Sequence, residues 1–431
     1  MLAAAVALLL IGYPVAFTLG AVALLFGGIA LGLDFFALLP LRIWGVMTNF
    51  TLLAVPLFVF MGIILDKSGI AEALLETMAR LFGRINGGMG VSIVLVGALL
   101  AATTGVVGAT VVTMAVIALP VMLRHGYKPE LATGTIAASG TLGQIIPPSI
   151  ILVLLGDVIG VPVGQLFMAA VTPGLVLIVL FIIYILVRAK LKPQDAPALP
   201  MDDNAEPLWP QVFKSLIPPL LLMFAVLGSI FLGVASPTES AAVGALGALL
   251  LATLHRKLNF AKLREAMQST TRMTSMVFMI LIGATAFGLV FRGMGGDDLV
   301  QELMTNLPGG VWGFLLVSML IIFVLGFFLD FIEITFIVVP ILAPIAAFMG
   351  VDMLWFAVLI ALNLQTSFLT PPFGFSLFYL KAAAPPEIRM PQIYRGILPF
   401  VAIQLVALSL IMLFPQVTLW LPNMMDALQG F

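Results

Sequence analysis

The stretch Gln144-Ile-Ile-Pro-Pro-Ser149 lies inside a long uncharged apolar segment, and a second proline pair lies in Phe368-Leu-Thr-Pro-Pro-Phe373. Proline has no N–H group and clashes with the carbonyl four residues earlier, so each pair interrupts a helix. Such an interruption is tolerated at bilayer depth only where it is buried in protein or faces a polar cavity. The two pairs therefore predict two broken helices with specialised polar surroundings.

The composition around these breaks is that of a membrane protein. The chain has 431 residues, of which 62% are apolar and only 9% are charged, whereas a soluble domain has roughly 25% charged residues. This length accommodates about a dozen crossings of roughly 20 residues each. The net charge of −1 and the absence of basic runs argue against nucleic acid.

Enzymatic chemistry has little support in the sequence. The chain has no cysteine, and its two histidines are His125 and His255. Disulfides, thiol catalysis and a histidine metal cluster are therefore excluded. No soluble catalytic domain interrupts the apolar segments, and we predict that the protein is not an enzyme.

Charge placement predicts the topology. If 85–123 and 309–351 each leave and return on one side as hairpins, then every Lys and Arg except Arg42 and Arg292 falls on one face. The positive-inside rule makes that face cytoplasmic, with the N-terminus inside and the C-terminus outside. The apolar stretch 2–33 is too long for a signal-peptide core, so it predicts a retained span.

The same arrangement makes the second half an inverted copy of the first. The first half, 1–192, has a hairpin at about 85–123 and a broken helix at about 130–160. A cytoplasmic connector, 193–210, precedes the second half, 211–431, with a hairpin at about 309–351 and a broken helix at about 353–383. We predict an all-α polytopic membrane protein with inverted-topology repeats, the architecture of many secondary transporters.

Polar residues at the breaks and hairpin midpoints are the candidate sites. Broken helices in transporters offer unwound carbonyls to Na⁺, and the proline pairs free carbonyls just before them. Carboxylates such as Asp330 and Glu333 are costly at membrane depth, so a functional role is expected for them. They are predicted to bind a cation or exchange protons. The alternative is that one of them pairs with a buried donor and only stabilises packing. Oxygen-bearing side chains predicted to line the substrate or ion pathway are Gln144, Ser149, Glu333, Asn363, Gln365 and Thr366.

Four motifs together carry a family resemblance: Leu142-Gly-Gln-Ile-Ile-Pro-Pro-Ser-Ile150, Val234-Ala-Ser-Pro-Thr-Glu-Ser-Ala-Ala-Val243, Leu329-Asp330 with Val339-Pro-Ile-Leu-Ala-Pro344, and Thr370-Pro-Pro-Phe-Gly374. Over essentially its whole length the chain resembles the large membrane subunit, DctM-like, of tripartite ATP-independent periplasmic (TRAP) transporters. On residues alone, the polar island at 236–240 in the second motif is equally an external turn with a capping glutamate.

The resemblance implies a sodium-coupled carrier of the bacterial inner membrane that imports a small organic anion bearing a carboxylate. It implies re-entrant hairpins, an elevator-type mechanism similar to the ion transporter superfamily, a small four-helix membrane subunit and a periplasmic substrate-binding protein. It places Na⁺, with no organic cofactor, where each hairpin tip meets a break. The implied residues are Thr103, Thr104, Gly105, Gly143, Ile146 and Pro148 in the first half, and Gly326, Asp330, Ser367, Thr370 and Pro371 in the second.

Two departures from the family pattern concern these sites. Many members carry a serine pair followed by Ala-Asp at the first hairpin tip, where this chain has Gly105-Val-Val-Gly-Ala-Thr110. Glu333 is likewise not a general feature of the family. The alternative function within transport is a stand-alone Na⁺/dicarboxylate-type carrier of similar architecture, which needs no binding protein.

Overall fold

In a computed structural model, the chain is described at residues 1–105, 107–199 and 208–429. The side chains of Thr103, Thr104, Leu208, Leu428 and Gln429 lie outside that description. The described part is helical and contains no β-strand. Its α-helices are α1 (Leu2–Ile11), α2 (Val15–Ala30), α3 (Leu39–Met47), α4 (Ala54–Lys67), α5 (Ile70–Phe82), α6 (Gly88–Thr104), α7 (Val107–Arg124), α8 (Pro129–Thr141), α9 (Ile150–Ile159), α10 (Val163–Leu191), α11 (Leu208–Ser215), α12 (Ile217–Phe231), α13 (Pro237–Leu254), α14 (Phe260–Gly293), α15 (Gly296–Thr305), α16 (Val311–Leu325), α17 (Phe331–Ile337), α18 (Val339–Phe348), α19 (Met353–Leu369), α20 (Phe375–Ala383), α21 (Met390–Leu413) and α22 (Gln416–Gln429). Short 3₁₀ turns lie at Leu33–Leu38, Thr51–Leu53, Leu142–Gln144 and Pro193–Asp195.

Fewer helices are long enough to cross a bilayer than the predicted dozen. Among the described residues, six helices have the length and apolar character of a span, and up to eight if each of two bent pairs is one span. Arms of the hairpins and pieces of the broken helices, such as α6, α9, α16 and α19, are shorter apolar helices. Because a crossing takes about 20 residues, these pieces reach only part of the way individually.

The N-terminal apolar stretch also differs from the single span expected from the sequence. It forms two helices, α1 and α2, separated at Gly12, Tyr13 and Pro14. Gly12 adopts the left-handed conformation with φ of 99° and ends α1. Pro14 then precedes the first residue of α2, where its missing N–H costs nothing.

We call α1–α4 and α12–α14 the scaffold group. Within it α14 packs along α2 and α4, and α13 packs along α4. The close α14–α2 approach depends on Gly283, because a Cβ at that position would lie 2.5 Å from the carbonyl oxygen of Ala16. α13 begins with a capping box in which Ser236 N–H donates to Glu239 Oε2 at 2.8 Å and Glu239 N–H donates to Ser236 Oγ at 3.3 Å. The polar island at 236–240 is thus a helix cap, the simpler of its two interpretations.

The other main packing unit, which we call the hairpin group, consists of α6–α10 and α16–α22. Its two halves interlock, because the second piece of each broken helix packs against the hairpin of the opposite half: α9 contacts α17 and α18, and α20 contacts α7. The first pieces pack against other helices of the group, with α8 along α21 and α19 against α16, α10 and α21. Both breaks are therefore held inside one packed unit.

The described part of the predicted connector, 193–199 and 208–210, includes a segment attached to this unit. Backbone amides of Gly87 and Lys128 donate to the carbonyls of Ala196 and Asp195 at 2.9 Å and 3.0 Å, and Leu199 N–H donates to Gly83 O at 2.9 Å. Arg188 forms an ion pair with Asp195 at 2.7 Å. Residues 193–199 are thereby fastened to the base of the first hairpin, while residues 200–207 of the connector lie outside the described residues.

Candidate functional site

The first hairpin tip lies directly against the first helix break. Gly105 ends α6 with φ of 60°, and a Cβ on it would lie 3.0 Å from Ile150 Cγ1, at the start of α9. On the other side of the break, a Cβ on Gly143 would lie 2.9 Å from the carbonyl oxygen of Ala101. Both contacts need glycine, since any side chain would push the tip and the break apart. The predicted residues Thr103 and Thr104 end α6 beside this contact, but their side chains lie outside the described residues.

The second hairpin tip has the same relation to the second break. A Cβ on Gly326 would collide with the Ser367 side chain, so here too the backbone of the tip touches the helix just before the proline pair. Phe328 of the tip and Phe373 of the break have ring centroids 5.1 Å apart, and the rings of Phe331 and Phe368 are 6.1 Å apart. The structure thus brings each predicted hairpin midpoint to the break of its own half.

The carbonyls just before the breaks are partly satisfied by two serines, Ser149, which was predicted to line the pathway, and Ser376, which the sequence did not suggest. Ser149 Oγ donates to Gln144 O at 3.0 Å, and Ser376 Oγ donates to Phe368 O at 2.8 Å. In both cases a serine beyond the proline pair reaches back to a carbonyl before it. Tyr394 adds a hydrogen bond from its hydroxyl to Pro372 O at 3.0 Å. A carbonyl oxygen has two lone pairs, so one such bond still leaves a lone pair for another ligand.

Hydroxyls on α19 are oriented in a way that suits a cation. Ser367 Oγ donates to Leu364 O and Thr370 Oγ1 donates to Thr366 O, at 2.8 Å and 2.7 Å. Thr366 Oγ1 likewise donates to Leu362 O at 2.8 Å. Each proton is turned toward the helix backbone, so the oxygen lone pairs point away from it. Neutral oxygens of this kind and unwound carbonyls are the donors that hold Na⁺ in broken-helix transporters.

The acidic pair Asp330 and Glu333 forms a helix cap. Phe331 N–H donates to Asp330 Oδ1 at 2.7 Å, and Asp330 N–H donates to Glu333 Oε2 at 3.1 Å. The bond to Glu333 is one half of a capping box at the start of α17, and in the other half the Glu333 N–H donates to the Asp330 side chain. The i,i+3 spacing that suggested a shared cation is therefore also the spacing of an N-terminal cap, and one oxygen of each carboxylate holds an amide. Ion binding by the remaining oxygens stays a prediction.

A tyrosine missed in the sequence links the second helix break to the first hairpin. The Tyr379 ring on α20 packs over Gly108 of the first hairpin, with Cε2 and Cζ 3.0 Å from where a Cβ of Gly108 would stand. α20 as a whole packs against α7 of the same hairpin. Tyr379 therefore joins the second break to the first hairpin. Only its place after a proline break hinted at this, because the contact joins residues far apart in the chain.

Two buried glutamines stand out among the predicted pathway residues. Both amide atoms of Gln144 and of Gln365 are buried, and neither side chain has a hydrogen-bond partner among the described residues. Asn363, in contrast, donates to Met319 O at 2.6 Å and fastens α19 to α16. A buried amide left without a partner costs about 1–3 kcal/mol. Gln144 and Gln365 therefore suit a polar group from an ion, a solute or water.

No three His, Cys, Asp or Glu side chains converge within the part of the chain that the structure describes. The predicted donors at the breaks are instead carbonyls, hydroxyls and the single carboxylate of Asp330. This donor set fits a monovalent hard cation such as Na⁺.

The profile of the DctM component of tripartite ATP-independent periplasmic transporters matches residues 2–417 of the chain. The chain belongs to this family. It is 32% identical to the C4-dicarboxylate TRAP transporter large permease of Pseudomonas aeruginosa, over 89% of each chain. It is 32% identical to the sialic acid TRAP transporter large permease of Vibrio cholerae, over 97% of this chain and 96% of that one. The ectoine TRAP transporter large permease of Halomonas elongata is 28% identical over 98% of both chains.

Solved structures of other transporters share the fold at low identity. The YdaH transporter of Alcanivorax borkumensis aligns with a TM-score of 0.67 at 14% identity, covering 97% of this chain and 98% of that one. MtrF of Neisseria gonorrhoeae aligns with a TM-score of 0.54 at 15% identity over 91% and 85%. The DctM-family chain is therefore a multi-pass membrane permease that is helical through its described residues, and the three relatives named above are large permeases of TRAP transporters.

Proposed function

We propose that this TRAP large permease imports a small carboxylate-bearing organic anion together with Na⁺, by an elevator movement of the hairpin group against the scaffold group. The observation that supports this most is the interlocked packing of the hairpin group. Each tip lies on the break of its own half, and each second helix piece lies on the opposite hairpin. Two polar centres are thereby held in one packed unit, which is what a moving carrier body requires.

Sodium would be held at the two contacts between tip and break. In the first half the donors are the carbonyls around Gly105 and Gly143, and in the second half they are the backbone near Gly326 and the hydroxyls of Ser367 and Thr370. Asp330 would give the second contact a negative charge, and the first contact has no such carboxylate. The unpartnered amides of Gln144 and Gln365 support a polar occupant close to both breaks.

We further propose the partners and placement that the family implies. A small four-helix membrane subunit would accompany the scaffold group, and a periplasmic binding protein would deliver the solute to the outer face. The protein would lie in the bacterial inner membrane with its N-terminus in the cytoplasm and its C-terminus in the periplasm. Charge complementarity would steer the binding protein and make delivery sensitive to salt.

The test is uptake by proteoliposomes that contain the chain and its small subunit. Candidate solutes are C4-dicarboxylates, sialic acid and ectoine, each with its cognate binding protein. We expect uptake to need both an inward Na⁺ gradient and the binding protein, and to stop when K⁺ replaces Na⁺. Equal uptake in K⁺ would refute sodium coupling, and full-rate saturable uptake without a binding protein would favour the stand-alone carrier.

A further inference from the structure

The two arginines that break the charge pattern come together in the structure. Arg42 on α3 and Arg292 near the end of α14 both line one cavity of about 480 Å³. At the opposite end of the packed α4 and α14 helices, Lys67 pairs with Glu265 at 2.7 Å, among the basic residues of the other face. Two exceptional charges from distant parts of the chain thus line the same space.

This cavity lies between the scaffold group and the hairpin group. Its scaffold wall comes from α3 and α14, and its other wall comes from the end of α9 and from α17 and α18. Asn49 and Asp157 join the walls, with Asn49 Nδ2 donating to Asp157 Oδ1 at 2.6 Å. Thr51 N–H donates to Asn49 Oδ1 at 2.9 Å and fixes the direction of that amide.

Both guanidinium groups are available to a ligand. Within residues 1–105, 107–199 and 208–429, neither has an ion pair within 4.0 Å or a hydrogen bond. Arg292 folds back along α14, so that its Nη2 lies 3.6 Å from where a Cβ of Gly288 would stand. Gly45, on the α3 wall, has nothing within 4 Å of its Cβ position, which leaves this side of the cavity open.

Two carboxylates complete the lining. Asp157 is engaged with Asn49, and Asp297 at the start of α15 lies near Arg292. Burial raises the pKa of the Asp297 carboxyl, the Arg292 charge opposes this shift, and the neighbouring Asp298 adds to it. A solute that meets all four side chains needs an anionic group for the arginines and a hydrogen-bond donor for the aspartates.

We propose that this cavity is a binding site for a small carboxylate that also carries a hydroxyl or ammonium group, with Arg42 and Arg292 holding the carboxylate. Arginine presents a fork of N–H donors that matches a carboxylate, often through two parallel bonds. The volume lies within the usual range of about 300–1,000 Å³ for small-molecule sites. The site is separate from the contacts between tips and breaks, and it lies where a solute would pass between the two groups of helices. It rests on the proposed transport function only in the choice of an organic anion as ligand.

The absence of cysteine in the chain allows a direct test. Gly45→Cys places a single thiol in the cavity wall, and Val234→Cys places one at an outer turn, where Val234 is 78% exposed. In membranes of cells expressing the full transporter, the rates of modification by an anionic and a cationic methanethiosulfonate reagent are compared. We expect the anionic reagent to be favoured by on the order of tenfold in the Gly45→Cys variant, because Arg42 lies three residues earlier on the same helix and Arg292 lines the same cavity. It should have no such advantage in the Val234→Cys variant.

Malate is the ligand probe, because it carries both carboxylate and hydroxyl groups, and glycerol is the neutral control. We expect malate, but not glycerol, to slow modification of the Gly45→Cys thiol and to lose this effect when Arg42→Gln and Arg292→Gln are combined. Arg42→Lys with Arg292→Lys retains the charge and should keep the reagent preference while weakening the protection by malate. Equal rates for the two reagents, or malate protection that survives the double glutamine change, would overturn the proposal. Labelling measures binding without transport. In the Gly45→Cys chain with both arginines present, intact uptake without protection by malate counts against this site alone, and protection by malate without uptake counts against the transport proposal alone.

Discussion

Replacing Gly105 with alanine should weaken the first sodium site by crowding the contact between tip and break. The left-handed backbone with φ of 60° makes any side chain strained, at about 1–2 kcal/mol. The new Cβ would also lie 3.0 Å and 3.1 Å from Ile150 Cγ1 and Cδ1, and overpacking of this kind costs about 1–3 kcal/mol. If the overpacking cost destabilises the Na⁺-bound state by that amount, the half-saturating Na⁺ concentration rises about 5- to 150-fold.

Gly160→Ala is the matched control, since Gly160 has φ of 80° and nothing within 4 Å of its Cβ position. It should carry the same backbone strain without crowding. The measurement is Na⁺-dependent uptake by proteoliposomes, with thermal unfolding of each variant followed in parallel. Ile150→Ala removes both crowded atoms and should restore much of the sodium affinity in the double variant, as expected of residues in contact. An identical sodium dependence for Gly105→Ala and Gly160→Ala would refute this account of the site.

Three further changes test other parts of the structure. Asp330→Asn keeps an oxygen for the Phe331 amide, so the protein should fold while its Na⁺ requirement rises; unchanged sodium dependence of uptake would reduce Asp330 to a helix cap. Gln365→Leu should leave stability unchanged or raise it by up to about 1–3 kcal/mol, because an unpartnered amide is removed, but it should impair uptake. The control Gln404→Leu removes another buried unpartnered amide and should stabilise the protein without impairing uptake. Equal uptake by the two variants would argue against a role for Gln365. Gly396→Ala should destabilise by about 1–3 kcal/mol or more, because its Cβ would collide with the Glu130 carbonyl, whereas Gly20→Ala meets open space; equal melting temperatures would contradict the close packing of α8 on α21.

The breaks and hairpins were predictable because their causes are local. The proline pairs 147–148 and 371–372 lie in the middle of long apolar stretches, and they separate α8 from α9 and α19 from α20. Uncharged runs likewise located the hairpins. Pro14 marks the split between α1 and α2 in the sequence. Because residues 2–33 are apolar throughout, the stretch was nevertheless predicted as a single span.

Contacts between distant residues could not be predicted from one sequence. Nothing local to Tyr379 indicates that it packs over Gly108, and nothing local to Asn49 indicates that it donates to Asp157. The role of Ser376 was missed for a similar reason, since its carbonyl partner lies on the other side of a proline break. Asp330 and Glu333 show the opposite problem, because one spacing fits both a cation pair and a helix cap, and only coordinates show that the cap is present.

The interlocked halves also constrain how the chain is made. The partner of α9 is the hairpin formed by α16–α18, and Phe331 follows Ile159 by about 170 residues, so at typical synthesis rates the first half is inserted well before that partner exists. During this interval a face of α9 meets lipid or the insertion machinery instead of protein. The last assembly step is then the closing of α17 and α18 onto α9 and of α20 onto α7. A nascent chain that stops at residue 192 leaves both faces open, which marks it as a substrate for membrane quality control.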